Sequence, residues 1–580
     1  MSRNSRSYKA ERVIERLTRK VNRQMALSLA ACVHCGMCTE ACHYVLANPD
    51  DPTYAPAYKA DRIRRLFKRH MDWTGRVIPW WVKAGSIYTD EELNELMDTV
   101  FGKCTNCRRC SINCPMGVDF AVVNRMARGL LVSVGIMPEG VAVVSKDQWE
   151  IGNQMGVLKE EYLDTLDWMS EELQQELKDP AAIIPIDKMD CEVVYSINPR
   201  EVKYDPRTIA DAAKIFHIAG ENWTMPSEGW DMTNFGLFSG DDDLGGAVAR
   251  RLYEKVEELR GKKLVISECG HGYRSTRCEG PNWAKYDVPF VMESSVITML
   301  RYIREGRLKV DKSKNTIPVT FHDSCNNARS CGLFEEPREL LSLVVEDFRE
   351  MYPNRSENYC CTGGGGAMSM SEYTPRRLKS AIVKAEQLKA TGAKIVVTSC
   401  HNCVDGLTDL IRHYKLDMQV AQLVNLTANA LVVEARVAVP VEVPAAVPAV
   451  EAALPLHGRR ILVVDDEPDI LTFFSTVLGD NGASVTQAPD GATCMDLARK
   501  EKPDLITLDL SMPGMDGGKI FEALRNDPEL AGIPVCIITG KPELRRLIYD
   551  RPVPPPEGYL DKPVNDETLL LNVRKILKLV

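Results

Sequence analysis

The chain has 580 residues, enough for several domains with separate buried cores. Its formal net charge of −9 gives a general nucleic-acid-binding role no electrostatic support. No apolar core follows the positively charged start, and no uninterrupted apolar stretch reaches membrane-spanning length. Its 19 cysteines, without an export signal, argue against a disulfide framework. We therefore expect a cytoplasmic multidomain protein that reaches the inner face of a membrane only through partner subunits.

Basic residues crowd the first two dozen positions and predict a basic helix over residues 1–24. A solvated helix face is the simplest interpretation, and contact with an acidic partner or a membrane surface is the alternative. Further along, acidic helical patterns such as "EELQQELKD" indicate a helical connector over residues 126–187.

Two cysteine runs between these segments share the spacing C-x2-C-x2-C-x3-C. The runs are "CVHCGMCTEAC", with Cys32, Cys35, Cys38 and Cys42, and "CTNCRRCSINCP", with Cys104, Cys107, Cys110 and Cys114. In this spacing three thiolates of one run hold a [4Fe–4S] cubane, and the fourth reaches the other cluster. The expected ligand sets are therefore Cys32, Cys35 and Cys38 with Cys114, and Cys104, Cys107 and Cys110 with Cys42. Structural zinc, the alternative, prefers two separated C-x2-C pairs.

The long spacer between the runs is similar to that of helical ferredoxin domains in respiratory-type subunits, so we assign residues 25–125 to such a domain. One departure from the usual run is that His43, not proline, follows Cys42. This departure affects the turn and leaves the number of ligands unchanged.

From about residue 188 to residue 430, apolar β-branched strands alternate with charged helices, as is typical of α/β modules. The region also contains a weak internal repeat, in which the strand "KLVISEC" corresponds to "KIVVTSC" and sets Cys269 opposite Cys400. We expect two modules, residues 188–310 and 311–430, of which the first has lost most of its cysteines.

A third cysteine set lies in the second module. Cys325 in "FHDSC" is followed after 34 residues by Cys360 and Cys361 in "CCTGGGG", and after 38 more by Cys400 and Cys403 in "SCHNC". Vicinal thiolates can serve two irons at once, and bare glycine backbone lets amide groups approach cluster sulfides. Phosphate binding by "GGGG" lacks a P-loop lysine, whereas a buried structural cysteine set or a zinc site remains an alternative.

The first module keeps Cys269, His271 and Cys278 in "SECGHGYRSTRC". In a cleft between the modules, Cys269 or His271 would face the cluster, and His271 would supply a proton when a sulfur leaves as thiolate. A structural role is the alternative for both residues. His322 and His401 flank cysteines of the third set and are candidates for contacts around it, while Cys331 has no role in this pattern.

The Ala/Val/Pro-rich residues 431–457 are expected to form a semi-rigid extended linker, and residues 458–580 alternate regularly between strands and helices. Carboxylates that follow neighbouring parallel strands converge at one edge of a doubly wound sheet, where they suit Mg²⁺ and a nucleophilic aspartate. The residues expected at this edge are Asp465, Asp466, Asp509, Thr539 and Lys562.

This C-terminal pattern resembles a response-regulator receiver domain of the (βα)5 type and includes the aromatic Tyr559. The resemblance implies that Mg²⁺ binds to Asp465, Asp466 and Asp509, that a histidine kinase phosphorylates Asp509, and that Thr539, Tyr559 and Lys562 form the switch. The prolines of "RPVPPPEG" before the fifth strand depart from the usual helical sequence and affect the signalling face, not the phosphorylation site.

Residues 1–430 resemble iron–sulfur proteins of the DsrK, TmcB and HmcF type, which are similar to the D-type subunit of heterodisulfide reductase. The stretches that carry the resemblance are "FHDSCNNARSCGLFEEPREL", "ECGHGYR" and "TNFGLFSG". In that family the five cysteines of the CCG domain bind a noncubane [4Fe–4S] cluster that meets the substrate. The resemblance implies an oxidoreductase that passes electrons through two cubanes to this cluster. It also implies a disulfide or trisulfide substrate, carried by a small protein or a low-molecular-weight compound, and docking to membrane quinone-reactive or cytochrome subunits.

Two other functions remain open at this point. The chain could be the electron-relay subunit of a flavin-dependent hydroxy-acid or glycerol-phosphate dehydrogenase, in which case it needs a flavoprotein partner because it lacks a flavin-type G-x-G-x-x-G. It could instead be a redox-sensing signalling protein whose clusters report to the receiver.

Overall fold

The computed structural model describes residues 6–433, 454–510, 512, 517–539, 553–554, 556–562, 564 and 566–579. The chain divides into two compact units, residues 1–434 and residues 435–580. Most of the predicted linker lies outside the described residues. Within the described ranges, none of the helices combines the length and apolar character that crossing a membrane requires.

The cysteine-rich region of the first unit is helical. Its helices are α1 Tyr8–Lys20, α2 Arg23–Ala31, α3 Met37–Glu40, α4 His43–Leu46, α5 Pro56–Met71, α6 Trp73–Val77, α7 Asp90–Met97, α8 Arg109–Ile112, α9 Phe120–Val132, α10 Glu139–Glu150 and α11 Lys159–Leu177. A common apolar core, which includes Leu17, Leu29, Ile63 and Leu130, joins α1, α2, α5 and α9. The predicted boundary at residues 125 and 126 falls inside α9.

The single basic helix predicted over residues 1–24 is wrong in one respect, because the chain breaks after Lys20 and a second helix starts at Arg23. Asn22 causes the break: its side chain accepts a hydrogen bond from the backbone N–H of Met25 and caps the start of α2. Val13 and Leu17 of α1 are buried, so the basic residues lie on the remaining faces of an amphipathic helix.

The first α/β module contains a four-stranded parallel sheet in the order β2-β1-β3-β4. Its strands are β1 Val193–Ser196, β2 Trp223–Thr224, β3 Lys263–Ile266 and β4 Val291–Ser294. Its helices are α12 Pro199–Tyr204, α13 Arg207–Ile218, α14 Gly236–Ser239, α15 Asp242–Glu258, α16 Gly270–Tyr273, α17 Gly280–Ala284 and α18 Ser295–Arg304. A π-helical turn, Arg274–Glu279, joins α16 to α17.

The second module contains a three-stranded parallel sheet in the order β5-β6-β7. Its elements are β5 Val319–His322, β6 Ile395–Thr398, β7 Gln419–Ala421, α19 Glu336–Val344, α20 Thr374–Ser380, α21 Ile382–Thr391, α22 His401–Tyr414 and α23 Leu423–Ala430. The two modules place a cysteine at the same point, because Cys269 caps the helix after interior strand β3 and Cys400 caps the helix after interior strand β6. The modules therefore share the local geometry that the sequence repeat predicts.

The second unit contains a five-stranded parallel sheet in the order β12-β11-β10-β8-β9. Its elements are β8 Arg460–Val464, β9 Ser484–Ala488, β10 Leu505–Leu508, β11 Val535–Thr539, β12 Gly558–Asp561, α24 Pro468–Asp480, α25 Gly491–Glu501, α26 Gly517–Asn526 and α27 Asp566–Ile576. All five strands predicted in this region are present. Apolar side chains from both faces of the sheet form two cores, as a parallel sheet covered by helices requires.

Candidate metal centres

The cysteines of the two helical runs separate into two groups that cross the order of the sequence. One group contains Cys32, Cys38 and Cys114, and the other contains Cys42, Cys104, Cys107 and Cys110. Burial is the main cause of the raised pKa of Cys38, Cys42 and Cys110, and neighbouring thiolates of the same group raise it further. The exposed Cys35 lies in the turn between Cys32 and Cys38. The fourth cysteine of each run therefore lies with the other run.

The second of these groups lines a single cavity. His43, Lys59 and Thr105 contribute to its wall together with the four cysteines. The ammonium of Lys59 is buried and donates to the carbonyl oxygen of Lys103 over 2.6 Å. Four thiols around one enclosed space beside a cationic side chain fit the donor set and the negative charge of a [4Fe–4S] cubane.

The five cysteines of the second module are all buried. The Sγ atoms of Cys361 and Cys403 are 3.1 Å apart, and a ring nitrogen of His322 lies within 4.8 Å of both sulfurs. Hydrogen bonds with Cys360 and Cys403 hold the pKa of Cys361 well below its usual value. Buried, closely spaced sulfurs with a low thiol pKa are suitable ligands for a metal cluster.

A buried lysine is connected to this cysteine set through Asn358 and His322. Nζ of Lys384 donates to Oδ1 of Asn358 over 2.6 Å, and Nδ2 of Asn358 lies 3.2 Å from Nδ1 of His322. Burial lowers the pKa of Lys384 to about 7, although the thiolate of Cys361 opposes the shift. The chain of contacts fixes the His322 ring beside Cys361 and places a titratable cation behind it.

Three of the four glycines that follow Thr362 occupy positions where a side chain would clash or strain the backbone. A Cβ on Gly363 would lie 2.0 Å from the carbonyl oxygen of Asn402 in α22. Gly365 and Gly366 have φ of +67° and +80°, and a Cβ on Gly365 would also lie 2.6 Å from the carbonyl oxygen of Thr105. The glycines therefore allow the chain to approach α22 on one side and the second cysteine run on the other.

The second cysteine run contacts the second module directly. Oγ1 of Thr105 lies 3.4 Å from Sγ of Cys360, and a hydrogen bond with Cys360 lowers the pKa of Cys107. Arg329 ties the two parts together, since its guanidinium donates to the carbonyl oxygens of Cys107 over 2.8 Å and Asn358 over 2.6 Å. The cysteines of the second run and those of the second module are thus in direct contact across one shared surface, which we call the shared wall.

The two modules meet around Cys269 and Cys400. Sγ of Cys269 lies 3.1 Å from Nδ1 of His271, which is fully buried and packs against Phe238 at a centroid distance of 4.9 Å with the ring planes tilted by 37°. Burial raises the pKa of Cys269, and the hydrogen bond with Cys400 raises it further while it lowers the pKa of Cys400. The structure therefore brings both sequence-predicted residues of the first module to the edge of the cysteine set in the second.

A buried polar network closes the same seam between the modules. Nε2 of His401 lies 2.9 Å from Oε1 of Glu201, and the carboxylate of Glu268 accepts from the backbone N–H groups of Leu423 and Val424. Burial raises the pKa of Glu268 to about 8. Because residues 201 and 268 belong to the first module and the others to the second, the network holds the two modules in register.

In the second unit, Asp465 and Asp466 follow β8 and Asp509 follows the adjacent strand β10. Their carboxylate oxygens all lie within 4.8 Å of one another. Nζ of Lys562 lies 2.6 Å from Oδ2 of Asp465 and 2.9 Å from Oδ2 of Asp509. Three converging carboxylates beside a lysine fit a divalent cation and a phosphoryl group at this edge of the sheet.

The other two predicted switch residues lie on the neighbouring strands. Thr539 is buried at the end of β11. Tyr559 lies in β12, where its backbone pairs with that of Ile537 in β11, and its side chain lies outside the described residues.

Three parts of the chain match known families. Residues 28–118 match the 4Fe-4S dicluster domain, residues 319–407 match the Cysteine-rich domain, and residues 461–574 match the Response regulator receiver domain. The chain is a relative of the D-type subunit of heterodisulfide reductase and carries a C-terminal receiver domain. The resemblance predicted from the motifs is thereby confirmed.

The relatives cover the two units separately. The Hdr-like menaquinol oxidoreductase iron-sulfur subunit 2 of Archaeoglobus fulgidus is 25% identical over 72% of this chain and 82% of its own. The D-type subunit of the dihydromethanophenazine:CoB–CoM heterodisulfide reductase of Methanosarcina mazei is 26% identical over 72% of this chain and 98% of its own. Protein PilH of Pseudomonas aeruginosa is 36% identical over 20% of this chain and 97% of its own.

The sequence motifs do not predict several residues that lie at the candidate metal centres of this heterodisulfide reductase relative. Thr105, Arg329 and Lys384 each contact a cysteine site from a distant part of the chain or from a different element. The only sequence signal for Thr105 is its place inside a cysteine run. Arg329 lies between Cys325 and Cys331, and Lys384 lies in an ordinary charged stretch, so neither is marked by a charge pattern of its own.

The close approach at Gly363 predicts that Gly363→Ala destabilises the protein by about 1–3 kcal/mol, because the added methyl group meets a backbone oxygen that cannot move freely. Gly364→Ala is the matched control: its nearest neighbour is the carbonyl oxygen of Thr105 at 3.5 Å, an ordinary contact. Anaerobic denaturant titration of both variants measures the difference. Equal stability of the two variants would contradict the close contact with α22.

Proposed function

We propose that the chain is the iron–sulfur subunit of an electron-transfer oxidoreductase that reduces or oxidises a sulfur–sulfur bond, as the name of the Methanosarcina mazei relative suggests. The observation that carries the proposal is the shared wall between the second cysteine run and the second module, where Cys107 and Thr105 contact Cys360. Iron–sulfur clusters held on the two sides of this wall supply one-electron transfer.

We assign the ligands of three clusters. Two [4Fe–4S] cubanes take Cys32, Cys35, Cys38 and Cys114, and Cys104, Cys107, Cys110 and Cys42. The crossed grouping of the thiols and the cavity lined by the second group support this assignment. A noncubane [4Fe–4S] cluster takes Cys325, Cys360, Cys361, Cys400 and Cys403. All five are buried, and the lowered pKa values of Cys361 and Cys400 favour ligation over a free role.

His271 is proposed as the proton donor for the sulfur chemistry. Its Nδ1 faces Sγ of Cys269, and Phe238 keeps water from the ring. When a sulfur–sulfur bond of the substrate breaks, the proton at this nitrogen can pass to the departing sulfur. Neutralising its developing thiolate charge makes that sulfur a better leaving group. Cys269 orients the ring from the first module and lies against Cys400 of the second.

Docking to membrane quinone-reactive or cytochrome subunits is supported by a segment with large exposed aromatic side chains. Trp73, Trp80 and Trp81 are 72%, 75% and 78% exposed, and Val77 between them is 64% exposed. A monomer rarely leaves such side chains clustered in water, whereas interfaces with proteins and with membranes are rich in tryptophan. We therefore propose this segment as the docking face of the first unit, which would place the protein at the inner face of the membrane.

One observation favours a second function, an electron relay with no sulfur chemistry. Every cysteine of the third set is buried, and so are Cys269 and His271, so the site has no side chain open to solvent. A relay needs close approach of clusters but no access for a substrate. Turnover of a disulfide by the purified protein distinguishes the two functions.

The receiver domain is proposed as a phosphorylatable regulator of the same chain. Asp509 would accept the phosphoryl group from a histidine kinase, with Mg²⁺ held by Asp465, Asp466 and Asp509. Lys562 already bridges Asp465 and Asp509, and its pKa is raised because their carboxylates outweigh the effect of burial. The lysine is therefore charged and placed to hold a phosphoryl oxygen.

The cluster assignment predicts that Cys361→Ser loses about four irons per chain and one oxidised-state paramagnetic signal, because the substitution removes a thiolate that bridges the third set. Iron analysis and electron paramagnetic resonance on anaerobically purified protein measure both. Cys191→Ser is the control, since Cys191 is buried in the first module outside all three sets. Unchanged iron content and spectra in Cys361→Ser would remove the third cluster from the proposal.

The proton-donor assignment predicts that His271→Ala keeps all cluster spectra and slows disulfide turnover by roughly 100-fold or more, the range of general-acid catalysis. Turnover is followed with a reduced dye and a panel of disulfides, with spectra recorded on the same samples. His413→Ala, at an exposed position on α22, should behave as the wild type. Wild-type turnover in His271→Ala would return this residue to a structural role, and no turnover in the wild type would favour the relay.

The receiver assignment predicts that Asp509→Asn abolishes labelling by a small-molecule phosphoryl donor, and that chelation of Mg²⁺ abolishes labelling of the wild type. Asp496→Asn, an exposed carboxylate on α25, is the control and should be labelled normally. Labelled phosphate on intact protein measures the reaction. Labelling of Asp509→Asn at the wild-type level would place the modification elsewhere.

A further inference from the structure

Two cysteines outside the predicted ligand sets lie against each other at the surface of the first unit. Cys278 lies in the π-helical turn Arg274–Glu279 of the first module, and Cys331 ends the π-helical turn Asn326–Ser330 of the second. Their Sγ atoms are 3.6 Å apart. Cys278 is exposed and Cys331 is partly buried, so a reagent in solution reaches the first before the second.

The two sulfurs lie close to bonding distance. A disulfide needs a sulfur separation of about 2.0 Å, so the two sulfurs must move about 1.6 Å closer together. The two turns that carry them pack against each other, so the backbones already hold the pair together. Among the described residues, no histidine or carboxylate joins these two thiols in a group of metal-binding geometry.

The surroundings give the two thiols different reactivity. The hydrogen bond from Cys331 lowers the pKa of Cys278 to about 7, and the guanidinium groups of Arg277 and Arg274 contribute in the same direction. The same hydrogen bond and burial raise the pKa of Cys331. Because the thiolate is the nucleophile, Cys278 is the more reactive thiol near neutral pH.

We propose that Cys278 and Cys331 form a thiol–disulfide exchange site, with Cys278 as the nucleophile, Cys331 as the resolving thiol, and an exposed disulfide of a protein or of a low-molecular-weight thiol as the co-reactant. The pair lies outside all three ligand sets, so this proposal does not rest on the iron–sulfur function.

The exchange balances with the two thiols alone. The thiolate of Cys278 attacks one sulfur of the external disulfide, which breaks the external sulfur–sulfur bond, releases one thiolate and leaves a mixed disulfide on Cys278. Cys331 then gives up its proton to the released thiolate and attacks Sγ of Cys278, which releases the second external sulfur as a thiolate. The pair is oxidised by two electrons to an intramolecular disulfide, and the external disulfide is reduced to one thiol and one thiolate, which takes up a proton from water.

The experiment uses the cluster-loaded full chain under anaerobic conditions, with oxidised glutathione as the probe and peptide mass spectrometry as the readout. In the wild type we expect a Cys278–Cys331 disulfide with unchanged cluster spectra. Cys331→Ser should instead trap the glutathione adduct on Cys278, because the resolving thiol is gone. Cys278→Ser should give neither product, and Cys191→Ser should behave as the wild type.

A pH profile gives an independent readout. The rate of Cys278 alkylation by iodoacetamide should rise with pH around a midpoint near 7 in the wild type. In Cys331→Ala the midpoint should move up toward the value of a free thiol, about 8.5, because the hydrogen bond that favours the thiolate is lost. A glutathione adduct that persists on Cys278 of the wild type, a disulfide that forms in Cys278→Ser through another cysteine, or a wild-type midpoint near 8.5 would each overturn the proposal.

Discussion

The buried guanidinium of Arg128 joins separate segments of the first unit beside the candidate metal centres. It donates to four backbone carbonyls from separate segments: Val100 over 2.9 Å, Cys104 over 2.6 Å, Phe238 over 2.9 Å and Gly365 over 2.6 Å. Burial lowers its pKa to about 10, so the side chain remains charged at neutral pH. Only arginine offers a rigid fork with enough donors for four carbonyls. One side chain therefore links the second cysteine run, the first module and the glycine loop of the second module.

This arrangement explains the glycines next to the vicinal cysteines. Sequence reasoning attributes them to close approach between backbone amides and cluster sulfides. The described contacts add a second reason, since Gly363 makes room for Asn402 of α22 and Gly365 makes room for Thr105. Gly365 also accepts a hydrogen bond from Arg128. The loop is thus constrained by protein on both sides. This packing alone requires glycine at positions 363 and 365, whether or not backbone amides of the loop approach cluster sulfides.

The sequence predicts local features of this protein well, because local features have local causes. Cysteine spacing predicts the two helical runs, and the strand pattern predicts all five strands of the receiver sheet. The break at Asn22 escapes prediction because one polar residue in a basic segment looks like any other. Arg128 and Arg329 escape for a different reason: each acts on carbonyl oxygens more than twenty residues away, and a backbone carbonyl leaves no mark in a sequence.

Burial sorts the cysteines of the first unit into two kinds of chemistry. Cys361 and Cys403 are enclosed by protein and by other thiols, so no external disulfide can reach either sulfur, and the lowered pKa of Cys361 favours ligation. Cys278 has a lowered pKa as well, but its sulfur is open to solvent and has one neighbouring thiol instead of several. Accessibility, more than acidity, therefore decides which sulfurs are suited to hold metal and which are suited to covalent exchange.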